Sequence, residues 1–375
     1  MRVLLVTDAW YPQVNGVVRT LDETCRVLES LGHEVEVIAP SDGFRTVALP
    51  TYPDIRISLL AGREVARRMI AFAPDAVHIA TEGPLGWAAR GHCLRWGMPF
   101  TTSYHTKFPE YVRARLPVPE RLTYWWVRRF HNAGGCTMVT TPSMVEFLAA
   151  RGFTRLSAWT RGVDLAGFHP RFKAAPEDVY AGLARPVWLN VGRVAVEKNL
   201  EAFLALDLPG TKVVVGDGPA LEELTSRFPD AVFRGVRRGE DLSRHFADAD
   251  VFVFPSRTDT FGLVIIEAMA SGVPVAAYPV TGPIDIIPAA PAHAPAGVVD
   301  ADLRTACLRA LDLDPAHARA HAETYSWQAV GERFFELLTP EYKPRARARW
   351  RRLKTSARWG RKLATSSVRA VRKRL

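Results

Sequence analysis

The stretch Asp250–Ala277, DVFVFPSRTDTFGLVIIEAMASGVPVAA, leaves this chain little choice of fold. Val251–Phe254 is an apolar run closed by Pro255, suited to a strand buried on both faces. Ser256–Thr260 is polar and turn-forming. Leu263–Ala270 is made of helix formers, and Gly272 stops that helix before the apolar run Val273–Ala277. Strand, loop, helix and strand in that order build a parallel sheet, because parallel neighbours need a crossover. The loop opens at the carboxyl end of a strand and runs into a helix N-terminus, where such sheets bind anionic ligands.

Two carboxylates stand in this stretch, Asp259 just before the helix and Glu267 about two turns into it. Glu267 lies among Val264, Ile265, Ile266, Ala268 and Met269, so it is expected to be buried, which is costly without hydrogen bonds. A pair of ribose hydroxyls would satisfy it. So would a buried arginine or the amides of a neighbouring loop.

The rest of the chain repeats the same grammar twice, as 375 residues allow for two domains. Strands are expected at Val3–Thr7, Val35–Ala39, Ala76–Ala80, Pro99–Ser103 and Thr137–Thr140, with helices within Gly16–Gly32 and at Gly62–Ala73, Gly86–Trp96, Glu120–Phe130 and Ser143–Arg151. After the link at Phe168–Pro186 the pattern restarts with strands Val187–Val191, Val213–Val215 and Val232–Phe233, and helices Leu200–Leu206 and Ala220–Phe228. Proline-rich Pro279–Pro295 reads as a loop or lid, and helices Leu303–Leu311 and Trp327–Leu338 close the second unit. The reading is an α/β protein of two Rossmann-like domains, 1–165 and 166–342, facing across a cleft, with a tail at 343–375. That tail holds fourteen Lys and Arg and no Asp or Glu; removing it from the 49 basic residues leaves 35 against 39 acidic in the body. The body is mildly acidic at −4, and the basic character is an appendix. Four scattered cysteines without CxxC spacing argue against a zinc site or disulfide framework and for a reducing, cytosolic compartment. The opening MRVLLVTDAW suits a buried strand better than a signal peptide, and no window reaches the ~18 apolar residues of a membrane span.

Further pieces sit at strand ends. NVGRVAVEKN brings Arg193 and Lys198 to the end of the first strand of the second half, where a pyrophosphate would lie. Gly216-Asp217-Gly218-Pro219 follows another strand, and its glycines permit close backbone approach. Tyr11–Val17, with Gly16 at a helix start, does the same in the first half, and Ser103-Tyr104-His105-Thr106 follows a fourth strand. Each alone is a common turn; together, at the same end of their strands, they outline a nucleotide-diphosphate site.

Over roughly residues 1–338 the chain resembles a retaining family-four glycosyltransferase of the two-Rossmann, GT-B type. The family's E-x7-E signature is matched in spacing by Asp259 and Glu267, with Asp one methylene shorter at the first position. The resemblance implies that Glu267 binds the donor ribose, Arg193 and Lys198 hold the diphosphate, and Gly16 and Gly216 let backbone come close. It further implies that the amides of Thr260, Phe261, Gly262 and Leu263 meet the sugar, that His105 contacts it near the anomeric carbon, and that Arg237 lies near the base. Cations and a helix N-terminus would stabilise charge on the leaving phosphate, with no metal or cofactor. Asp248-Ala-Asp250 resembles a metal-binding DxD but precedes a strand, as a helix end would.

The acceptor is expected to be a lipid. Glu110–Arg129 interleaves Arg113, Arg115, Arg128 and Arg129 with Trp125 and Trp126, a pattern fitting either a headgroup interface or a half-buried helix with solvated arginines. The tail, with Trp350 and Trp359, would add attraction to an anionic leaflet, placing the enzyme on the cytoplasmic face of the membrane. The chain is similar to bacterial diacylglycerol glycosyltransferases, implying UDP-glucose or UDP-glucuronate as donor, and next to GDP-mannose-dependent α-mannosyltransferases. Neither half shows the GxGxxG of a dehydrogenase. Nucleic-acid binding would account for the tail but not for the strand-end constellation.

Overall fold

The computed structural model describes residues 1–13, 15–49, 52–115, 118–174 and 179–338. The basic tail therefore lies outside the described residues. The first half runs β1 (Arg2–Val6), α1 (Gly16–Ser30), β2 (Glu34–Ile38), β3 (Thr46–Leu49), β4 (Tyr52–Ser58), α2 (Gly62–Phe72), β5 (Ala76–Ile79) and α3 (Pro84–Trp96). It continues with β6 (Thr101–Tyr104), α4 (Phe108–Arg115), α5 (Glu120–His131), β7 (Cys136–Val139), α6 (Pro142–Ala149) and β8 (Leu156–Ala158). The second half holds β9 (Val187–Val191), α7 (Leu200–Leu204), β10 (Thr211–Val215), α8 (Leu221–Arg227), β11 (Val232–Phe233), α9 (Gly239–Ala247), β12 (Val251–Phe254) and α10 (Leu263–Ala270). It ends with β13 (Val275–Ala277), α11 (Pro283–Ile286), β14 (Gly297–Val299), α12 (Leu303–Leu311), α13 (Pro315–Ala322) and α14 (Trp327–Leu338).

Two six-stranded sheets result, ordered β2-β1-β5-β6-β7-β8 and β11-β10-β9-β12-β13-β14. Every pairing within them is parallel. The apolar run Val251–Phe254 is fully buried between β9 and β13, as its lack of alternation requires. Each sheet is covered on both faces: Leu4, Val6 and Ile79 point into one cluster of the first half and Val3, Leu5 and Trp10 into another. Leu189 and Phe252 against Trp188 and Val253 do the same in the second half.

Helix α14 corrects the expected domain boundary. It packs on α1 and covers the first sheet, with Val330, Phe334 and Leu338 buried beside Val3, Leu5 and Leu28. Trp159 Nε1 donates to the Val330 carbonyl at 3.1 Å, and a Cβ on Gly331 would strike Val27. An amphipathic helix needs an apolar surface to cover, and the open face of the first sheet supplies it from across the chain. The expected loop at Pro279–Pro295 holds the short helix α11, whose Asp285 accepts from the Ser143 amide of the first half at 2.9 Å. The hairpin β3–β4, helices α4 and α13, and strands β8 and β14 fall where no element was expected, while α9 ends at Ala247, capped at Asp248, where a helix end was expected.

Candidate active site

In the second sheet the strand order reverses between β9 and β12, so the loops after both strands open on one crevice. The loop after β9 carries Arg193 and Lys198, and the loop after β12 carries Asp259. Lys198 Nζ donates to Asp259 Oδ1 at 2.6 Å, which brings together two of the expected residues. The hydroxyl of Thr258 donates to the Glu197 carbonyl at 3.2 Å, and Asn199 Nδ2 to the Pro255 carbonyl at 3.0 Å, tying the two loops. Burial raises the Asp259 carboxyl, but the Lys198 charge and hydrogen bond outweigh it and hold the group below the usual range. The glycines of GDGP serve this frame: a Cβ on Gly216 would fall 1.8 Å from the Gly192 carbonyl oxygen, and one on Gly218 2.3 Å from that of Val194. Their close approach is to the Arg193 loop itself.

Helix α10 begins after Gly262, which has φ +91° and offers no side-chain cap, so the amides of its first turn face the crevice end without a protein side chain to accept from them. Phe261 turns its ring inward against Tyr325, leaving only its backbone toward the cleft. Glu267 is 6% exposed and pairs with Arg19 Nη1 of α1. Burial pushes its carboxyl up, against the lowering pull of Arg19. Of the ways to satisfy this carboxylate, the structure shows the arginine, supplied by the opposite domain.

The first domain closes the other wall. Asn15 Oδ1 caps α1 by accepting from the amides of Val17 and Val18, and a Cβ on Gly16 would stand 3.2 Å from Leu263 Cδ1. Thr260 Oγ1 donates to the His105 carbonyl at 2.6 Å, and its own carbonyl accepts from Thr140 Oγ1 at 2.7 Å. Lys107 Nζ donates to Thr281 Oγ1 at 2.5 Å. The His105 ring lies between Arg161 Nη2, 3.0 Å from Nδ1, and Ser103 Oγ, 2.7 Å from Nε2. A guanidinium has no lone pair, so Nδ1 accepts and Nε2 carries the hydrogen. Burial and the Arg161 charge hold the imidazole well below its usual range, and it is neutral at pH 7. Both ring nitrogens are thus engaged within the protein, which leaves the ring edge and the carbonyl as its contributions to the cleft wall. Arg161, 4% exposed and lying over the Trp159 ring, is pushed down to about 9 by burial.

Arg19, Lys107 and Arg161 were not singled out from sequence. Nothing in their neighbours distinguishes them from solvated surface cations; the facing domain gives Arg19 and Lys107 their partners, and Arg161 finds His105 within its own domain. Arg237 lies beside Asp241, one turn further along the chain, at 3.6 Å. Asp248 and Asp250 are spent at the opposite end of the strands, accepting from the amides of Val179 and Val187. Trp125 and Trp126 divide the two readings of α5: Trp125 is 50% exposed beside Leu122 and Arg129, while Trp126 packs on Trp87 at 5.1 Å. Arg113 pairs with Glu120, and Arg128 donates to the Arg151 carbonyl. The Arg115 side chain lies outside the described residues. Among the described residues no helix is long and apolar enough to cross a membrane.

Residues 14–166 match the sequence profile of Glycosyltransferase Family 4, and residues 185–312 that of Glycosyl transferases group 1. The chain is 33% identical over 310 residues to a GDP-mannose-dependent alpha-mannosyltransferase of Mycobacterium tuberculosis (strain CDC 1551 / Oshkosh), covering 76% of this chain and 81% of the relative. It is 26% identical over 320 residues to an alpha-monoglucosyldiacylglycerol synthase of Streptococcus pneumoniae (strain ATCC BAA-255 / R6), covering 74% and 71%. Among solved structures, the sucrose-phosphate synthase of Thermosynechococcus elongatus matches with a TM-score of 0.67 at 22% identity, over 90% of this chain and 98% of that one. This last likeness is one of fold, the GT-B arrangement of two parallel-sheet domains.

Proposed function

This chain belongs to glycosyltransferase family 4, a hexosyltransferase using a nucleotide sugar, and we propose that it transfers the hexose to a membrane lipid with retention of configuration. The observation that carries the site assignment is the meeting of Lys198, Asp259 and the N-terminus of α10 at the switch point of the second sheet. In this reading Arg193 and Lys198 take the charge that develops on the leaving diphosphate, and the amides before Leu263 add to it. Asp259 orients Lys198 until the phosphate arrives. Glu267 exchanges Arg19 for the ribose hydroxyls, and Arg19, freed, remains at the rim of the nucleotide. His105 forms the wall beside the sugar. Two fixed cations do what a metal ion would do elsewhere, so the proposal includes no metal or cofactor.

The donor we favour is GDP-mannose, because the mannosyltransferase matches at 33% identity against 26% for the glucosyldiacylglycerol synthase. This reverses the order expected from sequence, where UDP-glucose or UDP-glucuronate came first. A lipid acceptor is supported by the name of the second relative and by the exposed face of α4 and α5, where Phe108 (40% exposed), Leu122 (57%) and Trp125 stand among arginines. With the tail, this face would hold the enzyme to the cytoplasmic leaflet without nucleic-acid binding. Incubation with diacylglycerol-containing vesicles and a panel of GDP- and UDP-sugars tests the reading. Nucleotide and an α-linked glycolipid rising together with GDP-mannose support it. Glycolipid formed only from a UDP-sugar overturns the donor, and release without glycolipid overturns the acceptor.

A further inference from the structure

We propose that the first domain holds an acceptor subsite for a polyhydroxylated ring bearing a negative charge, in the cavity beside Trp10, Tyr11, Phe44 and Arg56. The proposal rests on the glycosyltransferase reading above and names the part of the acceptor that this domain grips. The cavity lies at the carboxyl ends of the neighbouring strands β1 and β2, walled by the loop Trp10–Gln13, by Pro40, Ser41, Gly43 and Phe44, and by Thr46 and Arg56 of the hairpin β3–β4. Its volume is about 230 Å³. Small-molecule pockets begin at roughly 300 Å³, so this one takes a single headgroup ring and not a whole lipid.

Its lining states what kind of ring. Trp10 and Tyr11 form a corner, with ring centroids 5.6 Å apart and planes at 78°. Tyr11 is locked in place by donation from its hydroxyl to Asp22 Oδ2 at 3.0 Å. Aromatic surfaces with a few polar tips, here Tyr11, Gln13 and Thr46, match a ring with apolar faces and a hydroxylated edge. No carboxylate lines the cavity. Arg56 stands exposed at the mouth, where its Nε donates to Thr46 Oγ1 at 2.6 Å, and it makes no ion pair among the described side chains. A guanidinium so placed keeps donors for a carboxylate or phosphate, which it binds in a bidentate fork.

The segment that walls the cavity also leads, along the chain, to the reaction site. Three residues beyond Gln13 the same segment reaches Gly16, which stands against Leu263 at the donor helix. A ring seated on Trp10 and Tyr11 would therefore rest on the segment that enters α1 beside the donor helix. The hairpin β3–β4 pairs only with itself and belongs to neither large sheet, and its contribution of Thr46 and Arg56 to the cavity gives it a use.

Binding of soluble ring probes, read by saturation-transfer NMR on the full chain, tests this without the reaction. Methyl α-glucuronide and myo-inositol 1-phosphate carry the ring with a carboxylate or a phosphate, and methyl α-glucoside is the neutral control. At least one charged ring should bind about tenfold or more tightly than the neutral one, and Arg56→Gln should remove that advantage while keeping the melting temperature. Phe44→Leu should weaken all three probes. Preference for the uronide identifies a uronic-acid headgroup, and preference for the inositol phosphate a phosphorylated polyol; either supports the subsite. Equal binding of the neutral ring, no binding of any ring, or unchanged affinity in Arg56→Gln overturns it. Nucleotide release by a protein that binds no ring ends this proposal and leaves the glycosyltransferase reading. Ring binding by a protein inert toward every donor does the reverse.

Discussion

The loops at the second sheet's switch point bring Arg193, Lys198 and Asp259 to the cleft, whereas the loop after β1 in the first sheet brings Trp10, Tyr11 and Gln13. Both halves wind the same way and place these loops at strand carboxyl ends. The fold thus chooses where ligands bind, and the side chains choose which. Two aspartates sharpen the contrast. Asp8, after β1, caps the start of α3 by accepting from the Leu85 amide and from Thr81 Oγ1, both at 2.9 Å; among the described residues no cation pairs with it, and burial pushes it up to about 6. Asp259 has Lys198 and lies below the usual range. The difference is the partner charge, and it separates a carboxyl that caps a helix from one paired with a cation at the switch point.

The largest expected effect breaks the charged half. Glu267→Ala should lower kcat/KM by two orders of magnitude or more, about 3 kcal/mol, in a nucleotide-release assay. Near-normal turnover would remove this carboxylate from the donor site. Lys198→Met should cost roughly 100-fold in kcat and raise the Asp259 carboxyl, readable by carbon NMR. A fall in kcat without movement of Asp259 would separate the ion pair from the chemistry. His105→Ala should lower kcat by roughly tenfold with less change in donor affinity, since the ring shapes the wall and carries no free ring nitrogen.

Stability against pH should follow the two aspartates with opposite signs. The Asp8 carboxyl is raised on folding, so it destabilises the protein as pH rises from the unfolded value near 4 to about 6, by up to about 3 kcal/mol in total. Asp259 is lowered, so its stabilisation is present above the unfolded value and is lost as pH falls through its lower folded value. In urea denaturation the stability difference between wild type and Asp8→Asn should therefore shift in the wild type's favour from pH 7 to pH 5, against the opposing loss from the buried neutral His78 and His105, which the unfolded chain protonates. A wild-type-minus-variant difference that stays constant between pH 7 and pH 5 would contradict the burial of Asp8. The smallest effect on chemistry should come from truncation after residue 342, which is expected to reduce binding to anionic vesicles while sparing transfer to a soluble acceptor. Equal vesicle binding would move the membrane role to the face of α4 and α5.

The strand–loop–helix–strand order around Val251–Phe254, the restart near Val187 and the strand-end positions of Arg193, Lys198, Asp259 and Gly16 were all legible in the sequence. They follow from local rules: apolar runs, helix formers, and glycines where the backbone turns. The burial of Glu267 was legible in the same way, from the apolar residues around it.

The partners of those residues were decided by the tertiary structure. Arg19 reaches Glu267, Arg161 fixes the tautomer of His105, and α14 covers the first sheet, although each lies far along the chain from what it touches. A surface-like arginine carries no local mark of the carboxylate or imidazole that will face it, because that contact depends on how distant segments pack, across the cleft for Arg19 and within the first domain for Arg161. Local pattern determined the elements and the ends at which ligands would gather; docking across the cleft decided which charges meet.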